Sequence, residues 1–416
     1  MCKKSILLLS LLSLSLIAAD FWKAGTAAPK ELPADGIYPT GQQMMFSGYS
    51  PIPRDYERVK ASGFNTFGPI YHRGFETFLQ SCEKLGVYCI FGIAPKPSED
   101  QLTAYTKDQM NAKDFDFDKL RQQVMEIVQK NAASEKICAW NIQPEELRFW
   151  YKNEMRYLEV VSKAVHDADP KHRPVFMYSP GHGDGNRLVK ELAQGGDIIA
   201  QGCYVNYSGC KHQRIRVKWT MTQAAKAKAQ FERQITTFLL PEMFQKVPDE
   251  EKGMIGKWVR HDVYCGVVNG AQGVLVYSLF PRAGLDFDTH FEAYSRCAKE
   301  LQGGLGRVFL FGEKRGDIAA EITAGPQEVS CKLAGNLGEY TSSPLSMANI
   351  AYGNERYLFM VNSAEEDITL KLNGIPADAE IAPLWSDVPA MADKNAVILP
   401  PLAVFAYKIT QKTGQK

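Results

Sequence analysis

The sequence predicts an α/β protein, a (β/α)8 TIM barrel followed by an all-β sandwich domain. From about residue 35 to 302, short apolar runs alternate with amphipathic helical patterns, which is typical of parallel strands joined by crossover helices. Eight such runs fall within the usual length of a barrel of this kind. Beyond residue 302 the chain changes to short strand-like runs separated by Gly, Asn, Pro and Asp turns, which favours a sandwich.

The predicted barrel strands are runs rich in β-branched and aromatic residues. They span residues 43–48, 66–71, 87–93, 137–142, 174–178, 198–204, 235–240 and 273–280. An open doubly wound sheet is the alternative, but it needs a glycine-rich phosphate loop after its first strand. Here that strand runs into Gly48-Tyr-Ser-Pro-Ile-Pro53, so the barrel is favoured.

Helical patterns fill most of the gaps between these strands. They cover residues 53–63, 73–86, 118–130, 154–167 and 256–269. In the third of them Leu120, Val124, Ile127 and Val128 recur at helical spacing. The polar segment 98–116 is expected to be an insertion over the mouth of the barrel.

The predicted domains are a catalytic barrel over residues 30–302 and a β-sandwich over 303–416. Strands are expected at 307–311, 356–362, 367–372 and 402–409, and no helix is predicted in this part.

The first residues resemble a targeting segment. A basic start is followed by an apolar run with small residues after it, which predicts a signal peptide over residues 1–19 and a secreted or periplasmic protein. The run is short and broken by serines for a membrane span, although an uncleaved N-terminal anchor is the alternative. No membrane contact is expected after cleavage.

Composition argues against a nucleic-acid partner and leaves open whether the cysteines form disulfides. The 48 basic and 47 acidic residues nearly cancel without a basic stripe, which argues against a nucleic-acid partner. Disulfides are permitted in an exported chain. Cys203 and Cys210 are as compatible with a disulfide as with free thiols, whereas Cys82/Cys89 is a weaker pair because Cys89 lies in an apolar run. No metal-binding spacing occurs, and nothing indicates an oligomeric state.

Two of the strand-like runs end at a Pro-Glu pair. The fourth leads into Glu145 and Glu146, and the seventh leads into Glu242. Catalytic groups of a barrel lie at the carboxyl ends of its strands, so these acids should face each other across the mouth. Retaining glycosidases use two carboxyl groups about 5–5.5 Å apart. The alternative is that each acid begins a helix, where its charge is favoured.

With these acids, the sequence resembles the large clan of retaining (β/α)8 glycoside hydrolases, β-galactosidase-like or uncharacterised members included. The resemblance extends over residues 257–277, where a helix with Arg and Tyr precedes Gly-Ala-Gln-Gly and the eighth strand. It implies that Glu145 is the acid/base, with Glu146 as its neighbour and rival, and that Glu242 is the nucleophile. It also implies a carbohydrate substrate and no cofactor. The clan places Asn directly before the acid/base, whereas here Asn141 stands four residues ahead.

Sugar sites are lined by aromatic faces and hydrogen-bonding groups, and such residues recur at the predicted strand ends. The candidate substrate-binding residues are Tyr49, Tyr71, His72, Trp140, Asn141, Tyr178, His182, Tyr204, Asn206, Tyr207, Tyr277 and Arg282. The glycine-rich loop 181–185 would bring His182 and Asp184 to a sugar hydroxyl, or is simply a flexible turn.

The predicted function is therefore hydrolysis of O-glycosidic bonds in oligo- or polysaccharides by retaining double displacement. A non-catalytic carbohydrate-binding barrel is the main alternative. A metal-dependent hydrolase using His72, His182, Asp184 and Glu242 is a third hypothesis, against which the scattered histidine spacing argues.

Overall fold

The computed structural model describes residues 21–412, apart from 72–73, 99, 102, 182–183 and 334. The predicted signal peptide, His72 and His182 lie outside the described residues. Within the described part, no helix combines the length and the apolar character needed to cross a bilayer.

The first two thirds of the chain form parallel strands joined by helices. The strands are β1 (Met45–Gly48), β2 (Thr66–Phe67), β3 (Tyr88–Ile93), β4 (Ile137–Ile142), β5 (Val175–Phe176 and Tyr178–Ser179), β6 (Ile198–Cys203), β7 (Thr236–Pro241) and β8 (Gly273–Val276). One sheet has the order β2-β3-β4-β5 and the other the order β5-β6-β7-β8-β1. The first segment of β5 pairs with β4 and the second with β6, so β5 belongs to both sheets.

The two sheets also approach each other at β1 and β2. The Gly68 amide donates to the Gly48 carbonyl at 3.1 Å, and the Ser50 amide donates to the Pro69 carbonyl at 2.9 Å. Side chains from different strands meet in one buried cluster between the sheets. Its members include Met45, Ile90, Phe176, Ala200, Phe238 and Leu275. This strand order and shared interior fit a (β/α)8 barrel.

The helices surround these strands. They are α1 (Tyr56–Ala61), α2 (Phe75–Leu85), α3 (Lys107–Met110), α4 (Phe117–Asn131), α5 (Lys152–Ala168), α6 (Gly185–Leu192), α7 (Arg216–Lys228), α8 (Ile255–Val268), α9 (Phe287–Glu300) and α10 (Gly306–Phe311). All five predicted helices are present, whereas α3, α6, α7 and α9 were not predicted.

The strand predicted at 307–311 is wrong, because these residues form helix α10. Its β-branched and aromatic composition resembles a strand, but the chain continues helically from the turn after α9. Val308 is buried, and the Phe309 ring lies 4.4 Å from that of Phe359. Tertiary packing therefore overrides local propensity here.

The polar segment 98–116 contains the short helix α3 and packs on the start of α5. Asn111 donates to the buried Glu154 carboxylate at 2.8 Å. The Lys107 ammonium donates to the backbone carbonyl of Glu146 at 2.7 Å. This segment therefore contacts the loop that follows β4.

The C-terminal part consists of antiparallel strands. They are β9 (Glu313–Lys314), β10 (Ala319–Ala324), β11 (Val329–Lys332), β12 (Glu339–Ser342), β13 (Leu345–Tyr352), β14 (Glu355–Asn362), β15 (Ile368–Asn373), β16 (Ala379–Pro383), β17 (Ala396–Leu399) and β18 (Val404–Gln411). They form a five-stranded sheet in the order β9-β13-β14-β18-β16, a three-stranded sheet β10-β15-β17 and the hairpin β11-β12.

Alternation along β14 gives the five-stranded sheet two buried faces. Leu358 and Met360 share a cluster with Leu370 of the three-stranded sheet. Tyr357, Phe359 and Val361, on the opposite face, belong to the cluster that contains Val263 of α8. Because successive strand residues point to opposite faces, one sheet packs on both the second sheet and the helical layer.

The described cysteines are all free and buried, so the disulfide alternatives for Cys203/Cys210 and Cys82/Cys89 are wrong. The Cys203 thiol faces Thr220 of α7. The Cys210 thiol lies 3.3 Å from the Lys332 carbonyl instead. The two thiols therefore have different neighbours.

Candidate active site

The loop after β4 carries the first acid pair. No helix begins until Lys152, so the interpretation of Glu145 and Glu146 as a helix start is wrong. Glu146 is exposed and has a φ of 59°, in the left-handed region that non-glycine residues rarely adopt. Its amide donates to the Tyr178 carbonyl at 3.2 Å. The two neighbouring acids therefore differ in exposure, since Glu146 is exposed and Glu145 is half-buried.

Three side chains donate to the Glu145 carboxylate. The Tyr49 hydroxyl and the Asn141 amide reach Oε1 at 3.0 and 3.1 Å, and the Tyr71 hydroxyl reaches Oε2 at 3.0 Å. Burial raises the pKa of Glu145 to about 7, although these three donors favour the ionised form. The nearby charge of Glu146 raises the pKa further.

Glu242 follows β7 and is 6% exposed. The Asn206 amide donates to its Oε1 at 2.5 Å, and the Tyr207 amide donates to its Oε2 at 3.1 Å. Burial raises the pKa of Glu242 to about 7, while these backbone donors and the Arg214 charge act in the opposite direction. Asp262 raises it in part.

Arg214 also fixes the turn that supplies those amides. Its guanidinium makes two hydrogen bonds to the Asp262 carboxylate, at 2.9 and 2.6 Å. A third donor of the same group reaches the Asn206 side-chain oxygen at 3.0 Å. Such a two-point pair is geometrically specific, so it holds the turn over Glu242 in place.

A cluster of tyrosines lies between the two acids. The Tyr49 ring is 5.6 Å from Tyr71 and 5.2 Å from Tyr277, and the Tyr204 ring is 5.7 Å from Tyr277. Tyr178 stacks on Tyr204 at 6.3 Å. The backbone of Tyr277 pairs in turn with Glu242. Both acids therefore lie at the carboxyl end of the strands, around one aromatic cluster.

These residues open onto a cleft of about 660 Å³, within the usual range of ligand sites. Its lining comprises Tyr71, Glu145, Glu146, Tyr178, Pro180, Gly181, Gly202, Tyr204, Tyr207, Ser208, Arg216, Phe244, Tyr277, Arg282, Lys332 and Leu333. Glycine at 202 is required by the tyrosines, because a Cβ there would lie 2.8 Å from the Tyr178 hydroxyl.

The structure brings many of the sequence-predicted residues to this cleft. Those that line it are Tyr71, Glu145, Glu146, Tyr178, Tyr204, Tyr207, Tyr277 and Arg282. Glu242 lies beneath the turn formed by Asn206 and Tyr207, where the backbone amide of Asn206 donates to its carboxylate.

Three predicted sugar contacts are wrong, because Tyr49, Asn141 and Trp140 are fully buried. The first two hold Glu145. Trp140 points away from the cleft, since alternation along β4 turns it opposite to Asn141. Its indole donates to Asp169 at 2.8 Å and its ring faces the Arg173 guanidinium at 5.0 Å.

Asp184, proposed in the sequence for sugar or metal contact, caps helix α6 instead. Its carboxylate accepts the Arg187 amide at 3.1 Å. Among the described residues, no group of three or more His, Cys, Asp or Glu side chains is arranged to hold a metal ion.

Sequence reasoning missed several residues of the site. Arg214 and Arg216 stand together after the sixth strand, and Phe244 follows Glu242 by two positions, so proximity to predicted strand ends was an available signal. Lys332 comes from the C-terminal strands, far along the chain, and no local pattern indicates its position.

Comparison with known proteins adds a fold likeness. No family model and no curated protein matches the sequence. A glycoside hydrolase family 5 structure from Bacteroides vulgatus is similar, with 10% identity over 94% of each chain and a TM-score of 0.55. An α-amylase of Geobacillus thermoleovorans, solved with acarbose, shares 9% identity over 89% of this chain and 99% of its own, with a TM-score of 0.54. Isomaltulose synthase of a Klebsiella species shares 8% identity over 90% of this chain and 100% of its own, with a TM-score of 0.51. At these identities the likeness concerns the fold.

Proposed function

We propose that this protein is a retaining glycoside hydrolase, exported to the periplasm or medium, in which both sheets close into one (β/α)8 barrel over residues 30–302. The observation that carries the proposal is a pair of carboxyl groups, Glu145, which is half-buried, and Glu242, which is buried. They follow β4 and β7, and both have pKa values raised to about 7. Glu145 lines the tyrosine-lined cleft, and Glu242 lies beneath the turn that brings Tyr207 to the same cleft. The fold likeness to glycoside hydrolases is consistent with it.

Burial is the main reason why the pKa of each acid is raised to about 7, so the roles rest first on position, after β4 and after β7. The smaller effect of Glu146, which raises the pKa of Glu145, and that of Arg214, which lowers the pKa of Glu242, agree with this order. We assign Glu145 as acid/base and Glu242 as nucleophile.

In the first step the Glu242 carboxylate bonds to the anomeric carbon, and the glycosidic C–O bond breaks. The departing oxygen takes the proton of Glu145. In the second step water attacks the glycosyl ester and gives its proton to Glu145, which frees Glu242. The scheme needs the two carboxyl groups about 5–5.5 Å apart in the complex with substrate.

The test is a screen of aryl glycosides and polysaccharides with wild type, Glu145→Gln, Glu242→Gln and Glu146→Gln. Loss of the nucleophile or the acid/base is expected to lower kcat by about a thousandfold or more. Glu146→Gln is the matched control, and its activity should stay within about tenfold of wild type. Near wild-type turnover by Glu242→Gln would contradict the assignment of Glu242 as the nucleophile.

Stereochemistry tests the mechanism separately. NMR of the first-formed product should show retained anomeric configuration. Azide added to Glu242→Gly is expected to restore turnover and to give a glycosyl azide of inverted configuration. An inverted product from wild type contradicts double displacement while leaving glycosidase activity in place.

One observation favours a second function, a non-catalytic carbohydrate-binding barrel. Both oxygens of the Glu145 carboxylate already accept protein hydrogen bonds, as in a structural carboxylate. Glycan binding without hydrolysis of any substrate in the screen is the result expected for that function.

A further inference from the structure

Besides the catalytic-loop acids Glu145 and Glu146, the charged side chains that line the cleft are all cationic. They are Arg216, Arg282 and Lys332. Among the described residues, no carboxylate lies within 4.0 Å of the charged nitrogens of these three. They come from three separate segments, the start of α7, the loop after β8 and the hairpin β11-β12.

Arg216 is the most informative of the three because it is 2% exposed. Within the described part of the chain, its guanidinium has one acceptor, the Gly181 carbonyl at 2.9 Å from Nη2, and Nε has none. Its face lies 5.6 Å from the Trp219 ring. A buried guanidinium without an anionic partner is costly, and a planar carboxylate or sulfate matches its fork of donors.

The other two cations extend this positive end of the cleft. Arg282 is exposed and lies over Phe244 and Tyr277, at 5.8 and 6.0 Å. Lys332 is held at the mouth because its amide donates to the Gln213 side chain at 2.9 Å. The C-terminal strands thus contribute a charge directly to the cleft.

We propose that the glycan bound in this cleft is anionic, bearing a uronic-acid carboxylate or a sulfate ester that Arg216 binds, with Arg282 and Lys332 beside it. The tyrosine faces would hold the sugar rings, and the three cations would select the charged substituent. The proposal rests on the proposed function in that it takes the cleft to be a glycan site.

The experiment measures binding to immobilised polysaccharides with the Glu242→Gln protein, which is expected to leave them intact. Polygalacturonate and alginate represent carboxylates, chondroitin sulfate and carrageenan represent sulfates, and xylan, galactomannan and starch are neutral. At least one anionic polysaccharide should bind about tenfold more tightly than every neutral one.

The same binding is measured after adding further substitutions. Arg216→Gln should weaken anionic binding by about tenfold, and Arg216→Lys, which keeps the charge without the fork, should weaken it less. Arg282→Gln and Lys332→Gln should each cost about threefold. Lys84→Gln is the matched control, since this exposed lysine ends α2, away from the cleft, and should change nothing.

Three outcomes overturn the proposal: neutral glycans bind equally well, no anionic glycan binds, or anionic binding survives both Arg216→Gln and Arg282→Gln. If circular dichroism shows that Arg216→Gln fails to fold, the binding of anionic glycans by Arg282→Gln and Lys332→Gln tests the proposal instead, because these two side chains are exposed. Anionic binding without hydrolysis by wild type contradicts the proposed function alone. Hydrolysis that ignores substrate charge contradicts the anionic preference alone.

Discussion

At the scale of single residues, Glu145 and Glu242 both have a raised pKa, but their neighbours differ. Glu145 accepts from tyrosine hydroxyls and lies beside another carboxylate, whereas Glu242 accepts from backbone amides and lies near Arg214. With both pKa values at about 7, the proposed mechanism requires one proton shared over the two sites, and the pH profile reports the pair. A narrow optimum near neutral pH follows.

The alkaline limb of that profile should move in opposite directions in two variants. Glu146→Gln removes a like charge, so the pKa of Glu145 falls and kcat/KM should decline at a pH lower by roughly half a unit. Tyr71→Phe removes a donor that favours the ionised form, so the pKa rises and the limb should move up by about one unit. The measurement is kcat/KM against pH for an aryl glycoside.

Tyr56→Phe is the control for losing a tyrosine hydroxyl, because Tyr56 lies among Phe67 and Phe78, away from the acids. Its limbs should match wild type. If Glu146→Gln abolishes activity instead of shifting the limb, Glu146 rather than Glu145 is the acid.

The sequence predicted that acids would lie at these two strand ends better than it predicted how they are held. Glu145 and Glu242 could be proposed because each follows an apolar run that ends in proline. Tyr49 was interpreted as a sugar contact, yet it is fully buried and donates to Glu145. Which way a side chain faces at a strand end depends on neighbouring strands, and a single sequence does not contain that information.

At the scale of elements, the barrel strands were easier to predict than the helices or the C-terminal strands. β4 has the predicted bounds, because its burial on both faces produces a continuous apolar run. Helices α6 and α7 were not predicted because polar residues interrupt the apolar stripe of each helix. In α6 even Arg187 and Glu191 are buried, as an ion pair at 2.7 Å. Buried charge at helical spacing hides the pattern on which the prediction depends.

Helix α6 provides a prediction for Asp184. If this residue is a cap, Asp184→Ala should lower the free energy of unfolding by about 1 kcal/mol, and Asp184→Ser should recover most of it. KM should change by less than about twofold in both variants, since a cap does not contact substrate. Chemical denaturation and steady-state kinetics give the two quantities. A KM raised about tenfold or more with unchanged stability restores the sugar-binding hypothesis.

At the scale of the whole molecule, the five-stranded sheet joins the two parts of the chain. The face that carries Phe359 shares a buried cluster with α8, and the face that carries Leu358 shares one with the three-stranded sheet. Polar contacts cross the same boundary, as when Lys218 donates to the carbonyls of Ser343 and Leu345 at 2.9 and 3.0 Å. A large apolar contact of this kind couples domains that would otherwise unfold independently.

Unfolding should therefore be one cooperative transition, and two neighbouring substitutions test this. Phe359→Ala empties the face toward the helices and Leu358→Ala the face toward the second sheet, and both side chains are fully buried. Each should cost about 2–5 kcal/mol and lower the same calorimetric transition. If the parts are independent, Leu358→Ala will move one of two transitions and leave the other at its wild-type temperature, because its cavity lies wholly within the C-terminal strands. Phe359→Ala would then move that transition far less than Leu358→Ala, since the face it lines would contribute little to holding the parts together.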